Sequence, residues 1–216
     1  MVEGHRAQIK QQLLAKADEY FAGFDTHATV LEDAARNYVS KQTFNKEGLA
    51  VTMSKMRAEG LTMEHLQPWL DDPTSVMEAL NNRLTREQLP EHEGHKMWHL
   101  KMSMPMIISN RSIITCIYQG ETSDGYQAFF HSSQGNEEQA TANAEAIGSD
   151  VIANNAITMT CYKPCEGGME LKQLLCMDPA GMIPNFIKNA MASRMANGLM
   201  LMVDYLKDGT IPAPIL

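Results

Sequence analysis

The chain has few aromatic residues, 6% of its 216, and only 4 cysteines. Four cysteines scattered over this length do not form the disulfide framework of a small secreted fold, so a reducing, cytoplasmic setting is expected. No apolar run approaches the ~20 residues that span a bilayer. The start, Met1-Val2-Glu3-Gly4-His5-Arg6, carries no apolar signal core. Positive charge is in deficit: 18 Lys and Arg against 26 Asp and Glu leave a net charge of −8. A phosphate backbone needs a positive field, so no nucleic-acid partner is expected, and broad adhesion to anionic membranes is disfavoured. Transient membrane contact through an apolar lip remains compatible with that charge. Also missing are a Gly-x-Ser-x-Gly elbow, a phosphate loop and a dinucleotide fingerprint, so no catalytic residue and no cofactor is expected.

What the chain does have is 44% hydrophobic residues, 17 of its residues being Met. That suffices for one domain over residues 1–216 burying about 70% of its unfolded surface. Residues 5–24 read as a helix with Ile9, Leu13, Ala17, Tyr20, Phe21 and Phe24 on one side. Asp25 to Asn37 fits helix or loop. A core of residues 38–207 begins with a hairpin, Tyr38–Phe44 and Leu49–Met56. Thr62 and Asp72 are N-caps for two short helices, the second holding Val76, Met77 and Leu80 on one side.

From Leu84 the period becomes two. Over Trp98–Met106 the even positions Trp98, Leu100, Met102, Met104 and Met106 are apolar, while His99, Lys101 and Ser103 make a wet face. Ile108–Tyr118 is apolar on both faces, as in a covered central strand. Tyr126–Ser133, Ile157–Lys163 and Met169–Met177 continue the sheet, the last two joined at Pro164–Gly168. A corner, Asp178-Pro179-Ala180-Gly181, leads into a helix over Ile183–Lys207 with the stripe Ile187, Met191, Met195, Leu199, Met202 and Leu206. Met is flexible and polarisable, so such a stripe either packs on a sheet or closes over a ligand of variable shape. Residues 208–216 read as a tail.

Two possible metal motifs are weak. His92, His95 and His99 on a strand lack a nearby Cys or Asp, and Cys161 with Cys165 has neither zinc nor redox spacing, so no metal is expected.

The segment from Thr158 to Pro184, ending Asp178-Pro179-Ala180-Gly181-Met182-Ile183-Pro184 and followed by the long helix, resembles the end of a START (steroidogenic acute regulatory protein-related lipid transfer) domain. Pro105 to Arg111, with Ser109-Asn110-Arg111, is similar to the proline and arginine that lead into a central strand of that family. The likeness runs from about Tyr20 to Lys207. It implies an α+β helix-grip fold: a curved antiparallel β-sheet wrapped around a long C-terminal helix and enclosing a hydrophobic cavity. It further implies a lipid ligand; the inward strand positions are nearly all apolar, so no enzymatic activity is expected, and a monomer is expected with the oligomeric state left open by the sequence. Some members hold a carboxylate and an arginine in the cavity. Those positions fall at Trp98 and Ile117 here, so that polar anchor is missing.

On this reading Leu100, Met102, Met104, Ile113, Thr115 and Ile117 form the sheet wall of the cavity, extended by Ile157 and Met159. Ile187, Met191, Met195, Leu199 and Met202 form a lid, and His131 and Thr115 are candidate polar contacts. The lid or the Gln119–Gly125 loop would move to admit ligand. An enzyme on the same scaffold, such as a polyketide cyclase-like protein, or an interaction module with a filled core stay open as alternatives.

Overall fold

Strand-period and helix-period segments assemble here into one mixed α+β architecture. The computed structural model describes residues 4–104 and 108–211. Expectations for Pro105, Met106 and the tail from Pro212 onward fall outside the described residues.

Helix α1 (His5–Ala22) is followed by β1 (Ala28–Asp33), β2 (Tyr38–Phe44) and β3 (Ala50–Glu59). Then come α2 (Met63–Asp71), α3 (Pro73–Leu80), β4 (Leu84–His92), β5 (His95–Met102), β6 (Arg111–Glu121) and β7 (Gln127–Ser132). Short helices α4 (Glu137–Ala142) and α5 (Ala144–Ile147) lead to β8 (Val151–Ile152), β9 (Asn154–Cys165), β10 (Gly168–Asp178) and α6 (Asn185–Asp208). The strands form a ten-stranded sheet in the order β1-β2-β3-β10-β9-β7-β6-β5-β4, with β8 parallel to β6 and every other pairing antiparallel.

The two short helices form where their caps sit. Thr62 N–H donates to His65 Nδ1 at 3.1 Å to open α2, and Asp72 Oδ1 accepts from Ser75 N–H at 3.2 Å to open α3, with Pro73 at its first position. The segment left open between helix and loop is the edge strand β1 between two 3-10 turns; Thr29 and Val30 suit an extended backbone.

Both faces of the sheet are covered. On the outer face Ile9, Leu13, Leu14 and Ala17 of α1 pack against Met53, Ile114, Cys116, Phe130, Met159 and Leu174. On the inner face α6 lies along β2 and β3 through Leu199, Met200 and Val203, joined by Tyr38, Met56 and Leu171. Tyr38, fully buried, donates its hydroxyl to the Ala196 carbonyl oxygen, which ties α6 to β2.

Two expectations need correction. Strand β5 ends at Met102, four residues early: Ser103 N–H makes a last bond to Arg83 O at 2.8 Å, and Met104 N–H turns to the Asn110 side chain at 3.1 Å. The odd face of β5 is only partly wet: Lys101 and, just past the strand, Ser103 reach solvent and His99 does not. His99 is 4% exposed and sits 2.9 Å from Ser112 Oγ, which donates to Asp150 at 3.0 Å, so the Asp150 loop covers it.

Candidate functional site: a chamber under the long helix

Between the inner face of the sheet and α6 lies a cavity of about 260 Å³. Its sheet wall is Leu100, Met102, Ile113, Phe129, His131, Thr158, Thr160, Gln173, Leu175 and Met177. Helix α6 contributes Met191, Arg194, Met195, Gly198, Leu201 and Met202. The end is closed by Trp69 of α2, by Pro73, Val76, Met77 and Leu80 of α3, and by Asn81 and Leu84 after it. The rings of Trp69 and Phe129, 5.3 Å apart at 58°, form a plug there. A larger depression of about 440 Å³ on the α1 side mixes Lys16, Glu47, Gln134 and Asn154 with Ile114, Ile152 and Ala156, and is more polar than this one.

The structure places Leu100, Met102, Ile113, His131, Met191, Met195 and Met202 around the chamber, and the other seven expected residues off it. Ile157 and Met159 belong to the outer core beneath α1, because strand residues alternate and the α1 side takes the apolar set. Thr158 and Thr160 face the cavity instead. Leu199 is buried on β2 and β3, about 100° around α6 from Gly198. Ile187 is 1% exposed and off the lining. Met104 lies beyond the end of β5. Ile117 is on the inner face but past the Trp69–Phe129 plug, where it walls a separate depression with Leu70 and Trp98. Thr115 stands behind His131, its Oγ1 3.2 Å from Nδ1.

Most of the unanticipated wall follows from register. Met169–Met177 was legible as a strand, and its odd positions Gln173, Leu175 and Met177 share the inner face. The Val76, Met77 and Leu80 stripe of α3 was legible too, without its destination. Arg194 carried no signal, since a lone cation on a helix reads as a solvated one. The Gln119–Gly125 turn does not border the cavity; Ser123 N–H reaches Asp18 at 3.2 Å on the α1 side.

Polar atoms in the chamber are few and organised. Asn155 Nδ2 donates to His131 Nδ1 at 2.8 Å, so Nδ1 is the acceptor and the proton sits on Nε2. Burial pushes the His131 pKa down to about 4, and the ring is neutral near pH 7. Gln173 Nε2 donates to Thr160 Oγ1 at 3.2 Å. His131 Nε2 and Gln173 Oε1 are buried without a partner. A Cβ on Gly198 would come within 3.0 Å of Gln173 Oε1, so the missing side chain lets the helix approach the strand there. Burial pushes the Arg194 guanidinium below its usual range.

Where the long helix begins, Arg111 fixes the corner. It is 2% exposed and donates to the carbonyl oxygens of Pro179 at 2.6 Å, Ala180 at 2.9 Å, and Ser109. Asp178 Oδ1 accepts from Ala180 N–H at 2.9 Å, and Gly181, with φ 64°, makes the left-handed step that precedes α6.

A large antiparallel sheet with a long C-terminal helix across one face is shared with solved structures. Human StAR-related lipid transfer protein 5 aligns over 91% of this chain and 97% of its own, with a TM-score of 0.62 and 12% identity. This is the START fold. The human StarD13 lipid transfer and protein localization domain aligns over 99% of this chain and 100% of its own (TM-score 0.58, 14% identical). A STAR-related lipid transfer protein fragment from Xanthomonas axonopodis covers 84% and 99% (TM-score 0.59, 16% identical). No family model and no curated protein matches the sequence. Within the START fold of this chain, Trp98 lies across from Thr115 and Ile117 across from His131.

Among the described residues no three His, Cys, Asp or Glu side chains gather as a metal site. His92 and His95 flank the β4–β5 turn, apart from the buried His99. Among the described residues no helix is long and apolar enough to cross a membrane.

Proposed function

We propose that the protein binds and carries one hydrophobic molecule, a lipid, in the chamber under α6, and that it is not an enzyme. The observation that carries this reading is the apolar cavity of about 260 Å³, just below the ~300–1,000 Å³ of ordinary ligand pockets, on a fold whose solved neighbours are described as lipid transfer proteins. Leu100, Met102, Ile113, Met191, Met195 and Met202 would contact the ligand's apolar body. Burying ~300 Å² of it at ~25 cal/mol/Å² supplies ~7 kcal/mol before ordering costs, which holds a ligand no tighter than about the micromolar range. A carrier must also release, and that strength suits it.

Admission would require α6 to swing at its Met191–Met195 end, or the Leu80–Leu84 connection to open, since both border the chamber. The neutral His131, with no carboxylate or second base on its hydrogen bonds, supports carriage over acid–base catalysis.

The test is Met195→Trp, which fills the chamber. Displacement of a neutral fluorescent lipid probe should fall by tenfold or more while the circular dichroism spectrum is retained. Unchanged affinity would overturn the proposal, as would a purified protein from which native mass spectrometry never recovers a lipid.

A further inference from the structure

Three polar groups on the chamber wall lack the partner their chemistry requires. Arg194 lies on α6 beside Met195, one turn from Gly198, and lines the chamber. Its hydrogen bond among the described residues goes to a neutral acceptor, the Leu80 carbonyl oxygen at the end of α3. Arg36 and Arg86, by contrast, are paired with Asp204 and with Asp72 and Glu78. A guanidinium has five N–H donors, and one drawn out of water is ordinarily matched by a carboxylate or phosphate. No described carboxylate of this chain fills that role for Arg194, so the counter-charge is left for the occupant of the cavity.

The other two groups are His131 Nε2 and Gln173 Oε1, on residues 4% and 7% exposed, both buried without a partner. Because Asn155 donates to Nδ1, the unpartnered His131 nitrogen is a neutral N–H donor on the cavity wall. It lacks an acceptor, and an uncharged oxygen is sufficient.

We propose that the cavity selects an acidic amphiphile: an anionic headgroup, carboxylate or phosphate, pairs with Arg194, and an uncharged oxygen of the same molecule accepts from His131 Nε2–H. This rests on the lipid-carrier reading above and adds to it the class of lipid. Arg194 is half-buried, and the discrimination is the penalty a neutral lipid incurs by covering this cation without pairing it; a charge-assisted hydrogen bond of this kind changes affinity by about 10- to 100-fold.

Dodecanoate, 1-lauroyl lysophosphatidate, 1-lauroylglycerol and 1-dodecanol should be compared for displacement of a neutral fluorescent probe, Nile red, at concentrations below micelle formation. The wild-type protein is expected to prefer an acidic lipid over dodecanol by about 10- to 100-fold. Arg194→Met should bring acids and alcohol to within about threefold of each other while keeping its hold on dodecanol. In His131→Leu, where the ester contact no longer separates the two acids, preference for lysophosphatidate over dodecanoate assigns the headgroup as phosphate, and the reverse as carboxylate; either supports the proposal. His131→Leu should weaken the two ester-bearing ligands several-fold more than dodecanoate, which has no uncharged oxygen outside its headgroup. Equal weakening of all would overturn the His131 contact. Equal affinity of wild type for dodecanol and both acids overturns the anionic headgroup and leaves the carrier reading standing, and it needs no variant to fold. Displacement by none of the four overturns both.

Discussion

His131 is the residue whose surroundings say most about the chamber. Its backbone oxygen and Nδ1 both accept from Asn155, Thr115 backs it, and burial alone depresses its pKa to about 4. The sign of the resulting pH dependence follows. Unfolded, the ring titrates near ~6.5, so below that pH the unfolded chain binds a proton that the native protein refuses. The destabilisation is absent above pH ~6.5, grows as pH falls, and levels off only below about 4. By pH 5 it should reach about 2 kcal/mol. Urea unfolding of ligand-free protein at pH 7.5 and pH 5.0, compared with His131→Gln, measures it. The wild type should lose about 2 kcal/mol more than the variant over that interval. Buried His99, whose pKa is also pushed down by burial, is present in both proteins and cancels. An equal loss in the two proteins would mean that the ring is solvated in the native state.

At the level of elements, the corner between β10 and α6 governs how the helix lies over the sheet. Arg111 gathers three carbonyl oxygens there from two segments of chain. Removing it takes the shared donor from three carbonyl oxygens and untethers the two segments, so Arg111→Leu should cost about 2–3 kcal/mol in urea unfolding. Arg111→Lys should recover less than half of that, because an ammonium cannot reproduce the planar fork that meets three acceptors at once. Full recovery by Lys would reduce the corner to a matter of charge. Elements of this kind were well marked in the sequence: the hairpin at β2 and β3, the caps at Thr62 and Asp72, the Asp178–Gly181 corner and α6 all sit within a few residues of where periodicity and turn chemistry put them. The cavity wall was less legible. The alternation of Ile157, Met159 and Cys161 with Thr158 and Thr160 shows a strand with two unlike faces, but with both faces covered it does not show which one meets α1. Hydrophobicity pointed to Ile157 and Met159, whereas the chamber took Thr158 and Thr160. The sheet register, set by long-range pairing, decides that, and local pattern carries no trace of it.

The whole molecule balances stability against capacity. An apolar chamber of about 260 Å³, at the ~24 cal/mol per Å³ of a sealed cavity, forgoes at most ~6 kcal/mol of packing relative to a filled core. A ligand that fills it therefore stabilises the native state by mass action, about 2.7 kcal/mol at 100 times its Kd. For a chain of this size that raises Tm by roughly 5–11 °C. Met195→Trp should act in the opposite sense on the two quantities: its ligand-free Tm should equal or exceed that of the wild type, because the indole occupies the space, while the ligand-induced rise should largely vanish. Differential scanning calorimetry of delipidated wild type and variant, each with and without dodecanoate or dodecanol, reads both numbers in one experiment. A variant that loses stability yet keeps the ligand-induced shift would place the ligand somewhere other than under α6.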